Sequence, residues 1–265
     1  MTKIARFQLR NDKNMAARYA VVEGQQLRLI EGDIFGRWQA TRQTYALGDA
    51  RLLAPVDPPN IYAIGLNYRL HAQESKMALP ERPIIFIKAT TAVIGPDDKI
   101  ILPQVAPDEV DYECELAIVI GAKARMVSEA QALDYVLGYT CGNDVSARDC
   151  QNRLDRQWAR AKSIDTFAPL GPWIETDMDP DNAPIRTRLN GKVMQESNTN
   201  DMIFSCRQLI SHLSQAFTLL PGTVIMTGTP SGVGFARNPP VFLRAGDVVE
   251  IEIDGIGALR NPVTA

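Results

Sequence analysis

From residue 110 to residue 120 the chain alternates in the two-residue period of a β-strand, in which side chains two apart share a face. One face, Val110, Tyr112, Cys114, Leu116, Ile118 and Ile120, is apolar throughout. The other opens with Asp111, Glu113 and Glu115 and closes with Ala117 and Val119, so carboxylates and core share one surface. Such a strand predicts that Glu113 and Glu115 sit where the interior begins. Neighbours on a strand face are about 7 Å apart, and two carboxylates that close, taken out of water without a counter-charge, drive one to bind a proton. A divalent cation removes that conflict. Glu250 and Glu252 repeat the spacing as an internal control. There Val248, Glu250, Glu252 and Asp254 oppose Val249, Ile251 and Ile253, the pattern of a half-solvated strand ending at an Asp254-Gly255 turn. No function is assigned to that pair, and a solvated face remains the simpler account of Glu113 and Glu115 taken by themselves.

The following segment adds a third acid. Ser128-Glu-Ala-Gln131 has capping-box spacing and predicts a short helix, followed by a strand over 137–141 that ends at Gly142-Asn143-Asp144. Asp144 either turns toward the glutamates or caps a helical turn starting at Val145, and one role does not exclude the other. Arg148 stands four residues on, which predicts an ion pair with Asp144 across a helical turn. Upstream, His71 and Glu74 follow a strand over 60–65, and one helical turn brings imidazole and carboxylate together. The plain alternative is a surface helix pair. Lys88 ends an apolar strand over 83–87 as either an edge charge or the partner of a buried acid.

Composition narrows the class of partner. The chain of 265 residues is 45% hydrophobic with a formal net charge of −3, enough to bury a sizeable core and the wrong sign for broad binding to polyanions. With no Lys/Arg-rich run, no nucleic acid is expected, and the partner is a small molecule. No apolar run approaches the roughly 18 residues of a membrane span and no secretory leader opens the chain, so a cytoplasmic protein without membrane contact is expected. Cys114, Cys141, Cys150 and Cys206 lack Cys-x-x-Cys spacing and predict buried thiols, with neither disulfide nor zinc.

Short strands over 4–9, 18–22 and 26–30 precede a proline-rich stretch at 55–59, which divides the chain into a small N-terminal domain, 1–54, and a main domain, 60–265. Asn190-Gly191 marks a hairpin. Ser205-x-x-Gln208 opens a helix over 204–220 with Leu209, Leu213, Ala216, Phe217 and Leu220 on one stripe, leaving His212 a structural residue. The glycine-rich segment 227–234 lacks the Gly-Lys-Ser/Thr ending of a phosphate loop and is not a nucleotide site. Strands outnumber helices without βαβ alternation, so the fold class is α+β with a dominant mixed sheet.

Four ordered motifs carry a resemblance. Asn67-Tyr-x-x-His71-x-x-Glu74, Asp111-Tyr-Glu113-Cys-Glu115-Leu, Asn143-Asp144-Val-Ser-Ala-Arg148-Asp149-x-Gln151 with Ala161-Lys162-Ser163, and Met226-Thr-Gly228-Thr229-Pro-x-Gly232-x-Gly234 resemble the fumarylacetoacetate hydrolase family. The resemblance implies a rolled mixed β-sheet core, a small N-terminal β-rich domain and a homodimer. It implies that Glu113, Glu115 and Asp144 bind Mg²⁺ or Mn²⁺. His71, Glu74 and Lys162 would be catalytic, with His71 and Glu74 on a mobile segment and 75–83 as a flexible lid. Arg148, Gln151 and Thr229 would bind the substrate, the last beside loop amides near its carboxylate. Lys88 matches a position where the family usually has lysine. The implied activity is Mg²⁺-dependent hydrolysis of acylpyruvate-like 2,4-dioxo acids, with oxaloacetate decarboxylation beside it. The alternative is an isomerase, decarboxylase or hydratase of a 2-oxo dienoic or dioic acid, since a 2-oxo acid enolate is common to all of these.

Overall fold

The structure, a computed structural model, describes residues 2–12 and 16–265. A large mixed sheet runs in the order Trp38–Ala46, Gln26–Gly32, Arg18–Glu23, Lys3–Leu9, Ala168–Glu175, Val136–Asn143, Cys114–Ile120, Val224–Met226, Ile61–Gly65 and Ile84–Lys88. Ala50–Leu52 adds to Lys3–Leu9, and Val93–Ile94 to Ala168–Glu175. A second sheet orders Lys192–Asn198, Pro184–Leu189, Val248–Ile253, Gly257–Thr264 and Ile100–Ile101. The α+β class with a dominant mixed sheet is the observed architecture, and Val224–Met226 lies parallel to Ile61–Gly65 within an otherwise largely antiparallel order.

Cys114–Ile120 is buried along its whole length. Antiparallel neighbours flank it on both edges, Val136–Asn143 and Val224–Met226. Leu116, Ile118 and Ile120 pack into the core shared with Ile185, Val249, Ile251 and Leu259 of the second sheet. Ala117 and Val119 pack the opposite way, among Ile61, Ala63, Leu170 and Val224. A strand covered on both faces has to be apolar almost throughout, and Glu115 is the exception at its start.

The expected strand over 110–120 is two strands. Val110–Asp111 pairs with Ser146–Ala147 in a small sheet of its own, and Tyr112 and Glu113 lie between the two strands. The Asn143 side chain bridges the gap by accepting from Glu113 N (3.0 Å), while Asp144 N donates to Glu113 O (2.9 Å). Glu113 and Asp144 are thereby held opposite one another, and Asp111 leaves the shared face.

Other local expectations divide by how local their causes are. Asn190 and Gly191 adopt φ of 53° and 80°, the left-handed pair a tight hairpin needs. The Ser205 helix spans Cys206–Ala216 with both capping-box bonds, but it stops before Phe217, so Ala216 and Leu220 are exposed rather than part of a buried stripe. Ser128 caps nothing: its hydroxyl meets the Gln131 side chain (2.9 Å), and Glu129–Tyr135 forms 3₁₀ turns. The three short N-terminal strands are present, joined by Trp38–Ala46, which alternation did not reveal because most of its residues are exposed. They extend the large sheet through Lys3↔Glu175 and Ile4↔Ile174 and bury a cluster of their own around Phe7, Leu27 and Leu29. All four cysteines are buried and unpaired. Among the described residues no helix is long and apolar enough to cross a membrane.

Candidate active site

Three carboxylates that are distant in the chain converge because register brings them together. Asp144 follows the last residue of Val136–Asn143, Glu113 faces it, and Glu115 is the second residue of the adjacent strand. One oxygen from each of Glu113, Glu115 and Asp144 lies within 4.8 Å of the others, and all three side chains are buried.

Cations surround two of the three. Lys162 Nζ donates to Glu113 Oε2 and to Asp144 Oδ2, both at 2.7 Å. Arg148 Nη2 meets Glu113 Oε1 at 2.6 Å. Lys88, fully buried, reaches Asp144 Oδ1 at 2.5 Å and also donates to the Lys162 carbonyl, so it is the partner of a buried acid and not an edge charge. Burial alone would push the Glu113 carboxyl up, but Lys162 and then Arg148 outweigh it and hold the group well below the usual carboxylate range. Burial likewise works against a charged Lys162, and Asp144 and Glu113 overcome it, leaving the ammonium more firmly protonated than in water.

Glu115 is different. It accepts a hydrogen bond from Gly228 N (2.8 Å), and no lysine or arginine among the described residues reaches it within ion-pair distance. Burial pushes its carboxyl well up, with the Asp144 and Glu113 charges adding to the shift. Asp111, Glu113, Glu115 and Asp144 outnumber Lys88, Arg148 and Lys162 by one, so the buried cluster carries one uncompensated negative charge when all are ionised. Three converging carboxylates, one of them without a counter-ion, and no histidine or cysteine in the set are what a hard, oxygen-seeking divalent cation requires. The residues present therefore fit such an ion.

His71 and Glu74 share the short helix Arg69–Glu74, with Nδ1 3.2 Å from Glu74 Oε2. Glu74 is itself fixed by Gly232 N (2.9 Å to Oε1), which leaves His71 Nε2 as the ring nitrogen for the cavity that His71 lines. Asn67 braces the preceding turn: its amide donates to Thr227 O (2.7 Å) and Phe204 O (3.1 Å), and its Oδ1 accepts from Phe204 N (2.9 Å). The cavity encloses about 280 Å³, and it is lined by the three acids together with His71, Lys162, Arg148, Gln151 and Thr229. Glu74 is not in the lining and meets the site only through His71.

Two expected roles change. Arg148 does not pair with Asp144, because Ser146–Ala147 is extended and the four-residue spacing spans no helical turn. Instead it is clamped between Asp111 (Nε to Oδ2, 2.9 Å) and Glu113, with its Nη1 on Gln151 Oε1 (2.8 Å) and its guanidinium over the Phe235 ring (4.4 Å). For the same reason Asp144 caps no helix. The glycine-rich loop also differs from expectation: Gly228 N, Gly232 N and Gly234 N donate to Glu115, Glu74 and Asp111, so these amides position the protein's own acids. Gly228 has φ of 98°, and a Cβ there would come within 2.7 Å of Asn67 Cβ, which is why the approach needs glycine. Sequence reasoning missed Asn67 and Asp111 as braces, although both stand inside the quoted motifs. It also missed Phe86 and Trp158 in the cavity wall, which no local pattern marks.

Comparison with known proteins agrees with this architecture. Residues 60–264 match the family described as fumarylacetoacetate (FAA) hydrolase C-terminal, and residues 2–55 match that described as Rv2993c-like, N-terminal. The chain is 51% identical to the fumarylacetoacetate hydrolase domain-containing protein 2 homolog of Dictyostelium discoideum, covering 81% of this chain and 74% of that protein. It is 50% identical to the mitochondrial oxaloacetate tautomerase fahd2 of Xenopus laevis, covering 80% and 68%. The solved structure of 2-hydroxyhepta-2,4-diene-1,7-dioate isomerase from Mycobacterium marinum superposes with a TM-score of 0.88 at 42% identity, covering 100% of this chain and 98% of that one. Motif order, buried acid cluster and fold agree, and the chain belongs to the fumarylacetoacetate hydrolase family of enzymes.

Proposed function

We propose that this chain catalyses the divalent-cation-dependent enolisation of a 2-oxo acid, interconverting keto and enol forms, with Mg²⁺ or Mn²⁺ held by Glu113, Glu115 and Asp144. The observation that carries the reading is the convergence of those acids with Lys162 and the His71–Glu74 pair on one cavity. When bound, the cation supplies a Lewis acid that favours negative charge on the 2-oxo oxygen. His71, oriented by Glu74, moves the proton between C3 and its own Nε2, and the enolate oxygen and the imidazolium exchange their protons with water, so that keto and enol interconvert with no net gain or loss of protons. Lys162 stands on the same side as the acids and donates a hydrogen bond toward the oxygen on which charge develops. Arg148, locked by Asp111, holds Glu113 and Gln151 in place, and Thr229 and Gln151 contact the substrate's polar end. The names of relatives support proton transfer as the core step, one being an oxaloacetate tautomerase and another a dienoate isomerase.

A second reading, hydrolysis of acylpyruvate-like 2,4-dioxo acids, is favoured by the same His71–Glu74 pair, because a base at this position also activates water. A panel of enol acids, oxaloacetate and acetylpyruvate separates the two, assayed with Mg²⁺ and with EDTA. Accelerated decay of the enol absorbance with Mg²⁺ alone is expected. Its absence for every acid would overturn the enolisation reading, and metal-dependent release of acetate from acetylpyruvate would establish the hydrolytic one. With this reading we also propose a division into domains 1–54 and 60–265 at the proline-rich stretch 55–59, a cytoplasmic location, and the homodimer that the family resemblance implies.

A further inference from the structure

A buried side chain of the second sheet reaches the loop that carries Thr229. In the hairpin of Pro184–Leu189 and Lys192–Asn198, Thr187 pairs with Gln195 and Arg188 with Val193, so Met194 is an extra residue without a partner across the ladder, a β-bulge. Met194 O accepts instead from Arg237 Nη2, while Arg237 Nε donates to Gly232 O (3.2 Å), which ties the bulge to the loop. Gln195, 1% exposed, completes the tie. Its Oε1 accepts from Cys114 N (2.9 Å) and Thr187 Oγ1 (2.7 Å), and its Nε2 donates to Thr229 Oγ1 and Pro230 O, both at 2.8 Å.

Backbone groups fix the polarity of these bonds. Cys114 N can only donate and Pro230 O can only accept, so the end of the Gln195 amide at Cys114 is its oxygen and the end at Pro230 is its nitrogen. Thr229 Oγ1 therefore accepts from Gln195, and its own hydrogen has to point elsewhere. The buried Cys114 thiol beside it is a weak acceptor. Thr229 also lines the cavity together with Glu113, Glu115 and Asp144, where an anionic oxygen would be a far stronger one. Accepting from an amide makes the hydroxyl a better donor as well, because hydrogen bonds in a chain polarise one another.

We infer that Gln195 is a positioning residue for the enolisation: it sets the Thr229 hydroxyl as a hydrogen-bond donor to the carboxylate of the bound 2-oxo acid. The inference rests on the enolisation reading. Gln195 does not line the cavity, and its effect on the substrate passes through Thr229. The carboxylate keeps its charge throughout the reaction, so the bond holds ground state and transition state alike, and its loss raises KM more than it lowers kcat.

Calorimetry of oxalate binding to the full-length protein with Mg²⁺ tests this through a double-mutant cycle between Gln195→Met and Thr229→Val. Thr229→Val is expected to weaken oxalate about tenfold or more, the loss of a hydrogen bond to a charged group, and Thr229→Ser to stay within about threefold of the unmodified protein. Gln195→Met is expected to weaken it about three- to tenfold. Added to Thr229→Val, the same change is expected to shift affinity by less than about twofold, because no hydroxyl is left to orient. In turnover of an enol acid, Gln195→Met and Thr229→Val are each expected to raise KM more than they lower kcat. Effects that add in the double variant, or a kcat that falls as far as kcat/KM, overturn the inference, since Gln195 would then act on Glu113 and Glu115 through Cys114 N. Should Gln195→Met fail to fold, neutron diffraction from the unmodified protein with Mg²⁺ and oxalate locates the Thr229 hydrogen. Aimed at oxalate it supports the inference, and aimed at Gln195 or Cys114 Sγ it overturns it. Absence of Mg²⁺-dependent oxalate binding in the unmodified protein overturns the enolisation reading and the inference with it, whereas oxalate binding with an additive cycle overturns the inference alone.

Discussion

Glu115→Gln separates the metal-binding role of this acid from its structural one, because the two roles predict opposite signs. Without a cation, Glu115 is a buried carboxyl with its ligand oxygen within 4.8 Å of those of Asp144 and Glu113 and no ion-pair partner among the described residues. Two unit charges about 5 Å apart repel by about 3.3 kcal/mol at an effective dielectric of about 20. Lys88 and Lys162 neutralise much of Asp144, Lys162 and Arg148 much of Glu113, and protonation of Glu115 limits the remainder. The relief left for a neutral, isosteric amide is about 1–2 kcal/mol, and its oxygen still accepts from Gly228 N. At about 2–4 °C per kcal/mol for a chain of this size, the variant should melt about 2–8 °C higher than the unmodified protein in EDTA. With Mg²⁺ at about a hundred times its dissociation constant, the unmodified protein gains about 2.7 kcal/mol and the variant gains nearly nothing. Thermal denaturation in EDTA and in Mg²⁺ measures all four states. A variant that is less stable in EDTA, or that responds to Mg²⁺ as the unmodified protein does, refutes the charge argument.

Removing Lys88 acts the other way: Lys88→Met leaves the Lys162 carbonyl without its Lys88 donor, leaves Asp144 with Lys162 as its one cation and adds a second uncompensated negative charge to the buried cluster, so it should cost about 3–5 kcal/mol in urea denaturation, whereas an unchanged midpoint would mean that the pair contributes nothing. Gly228→Ala, which places a Cβ at φ of 98° and 2.7 Å from Asn67 Cβ, should lose more than about 1 kcal/mol and weaken Mg²⁺ binding, since Gly228 N also holds Glu115. Magnesium affinity should rise with pH, because burial, with Asp144 and Glu113, raises the Glu115 carboxyl above its unfolded value and the ion must displace that proton. By the same sign, the metal-free protein binds an extra proton relative to the unfolded chain, so its stability falls as pH rises from the unfolded glutamate value through the folded one. Calorimetric titrations between about pH 5 and pH 8 that give a flat affinity would contradict this.

What local chemistry controls was legible in the chain. A two-residue alternation placed Cys114–Ile120 in a strand and Glu115 on the face of Ala117 and Val119. A left-handed Asn-Gly pair made the hairpin, a capping box started the Cys206–Ala216 helix, and three-residue spacing brought His71 to Glu74. Each depends on backbone geometry within a few residues, so sequence suffices. The motifs also named the three acids and Lys162, although that came from resemblance and not from spacing.

Only the tertiary structure decided which charge meets which. Arg148 passes over Asp144, four residues away, for Asp111, 37 residues away, and Gly228 finds Glu115 across 113 residues. Sheet order sets those encounters, because a low-dielectric interior rewards whichever opposite charge the fold brings within reach and gives no weight to closeness along the chain. The same holds for the wall that faces the substrate. Phe86 stands in the middle of an edge strand, Trp158 comes from an irregular segment, and Gly65 leaves room for the Trp158 ring that meets Phe86 edge-on. Alternation and capping therefore fixed the pieces of this molecule, while long-range packing of charges and rings fixed the site.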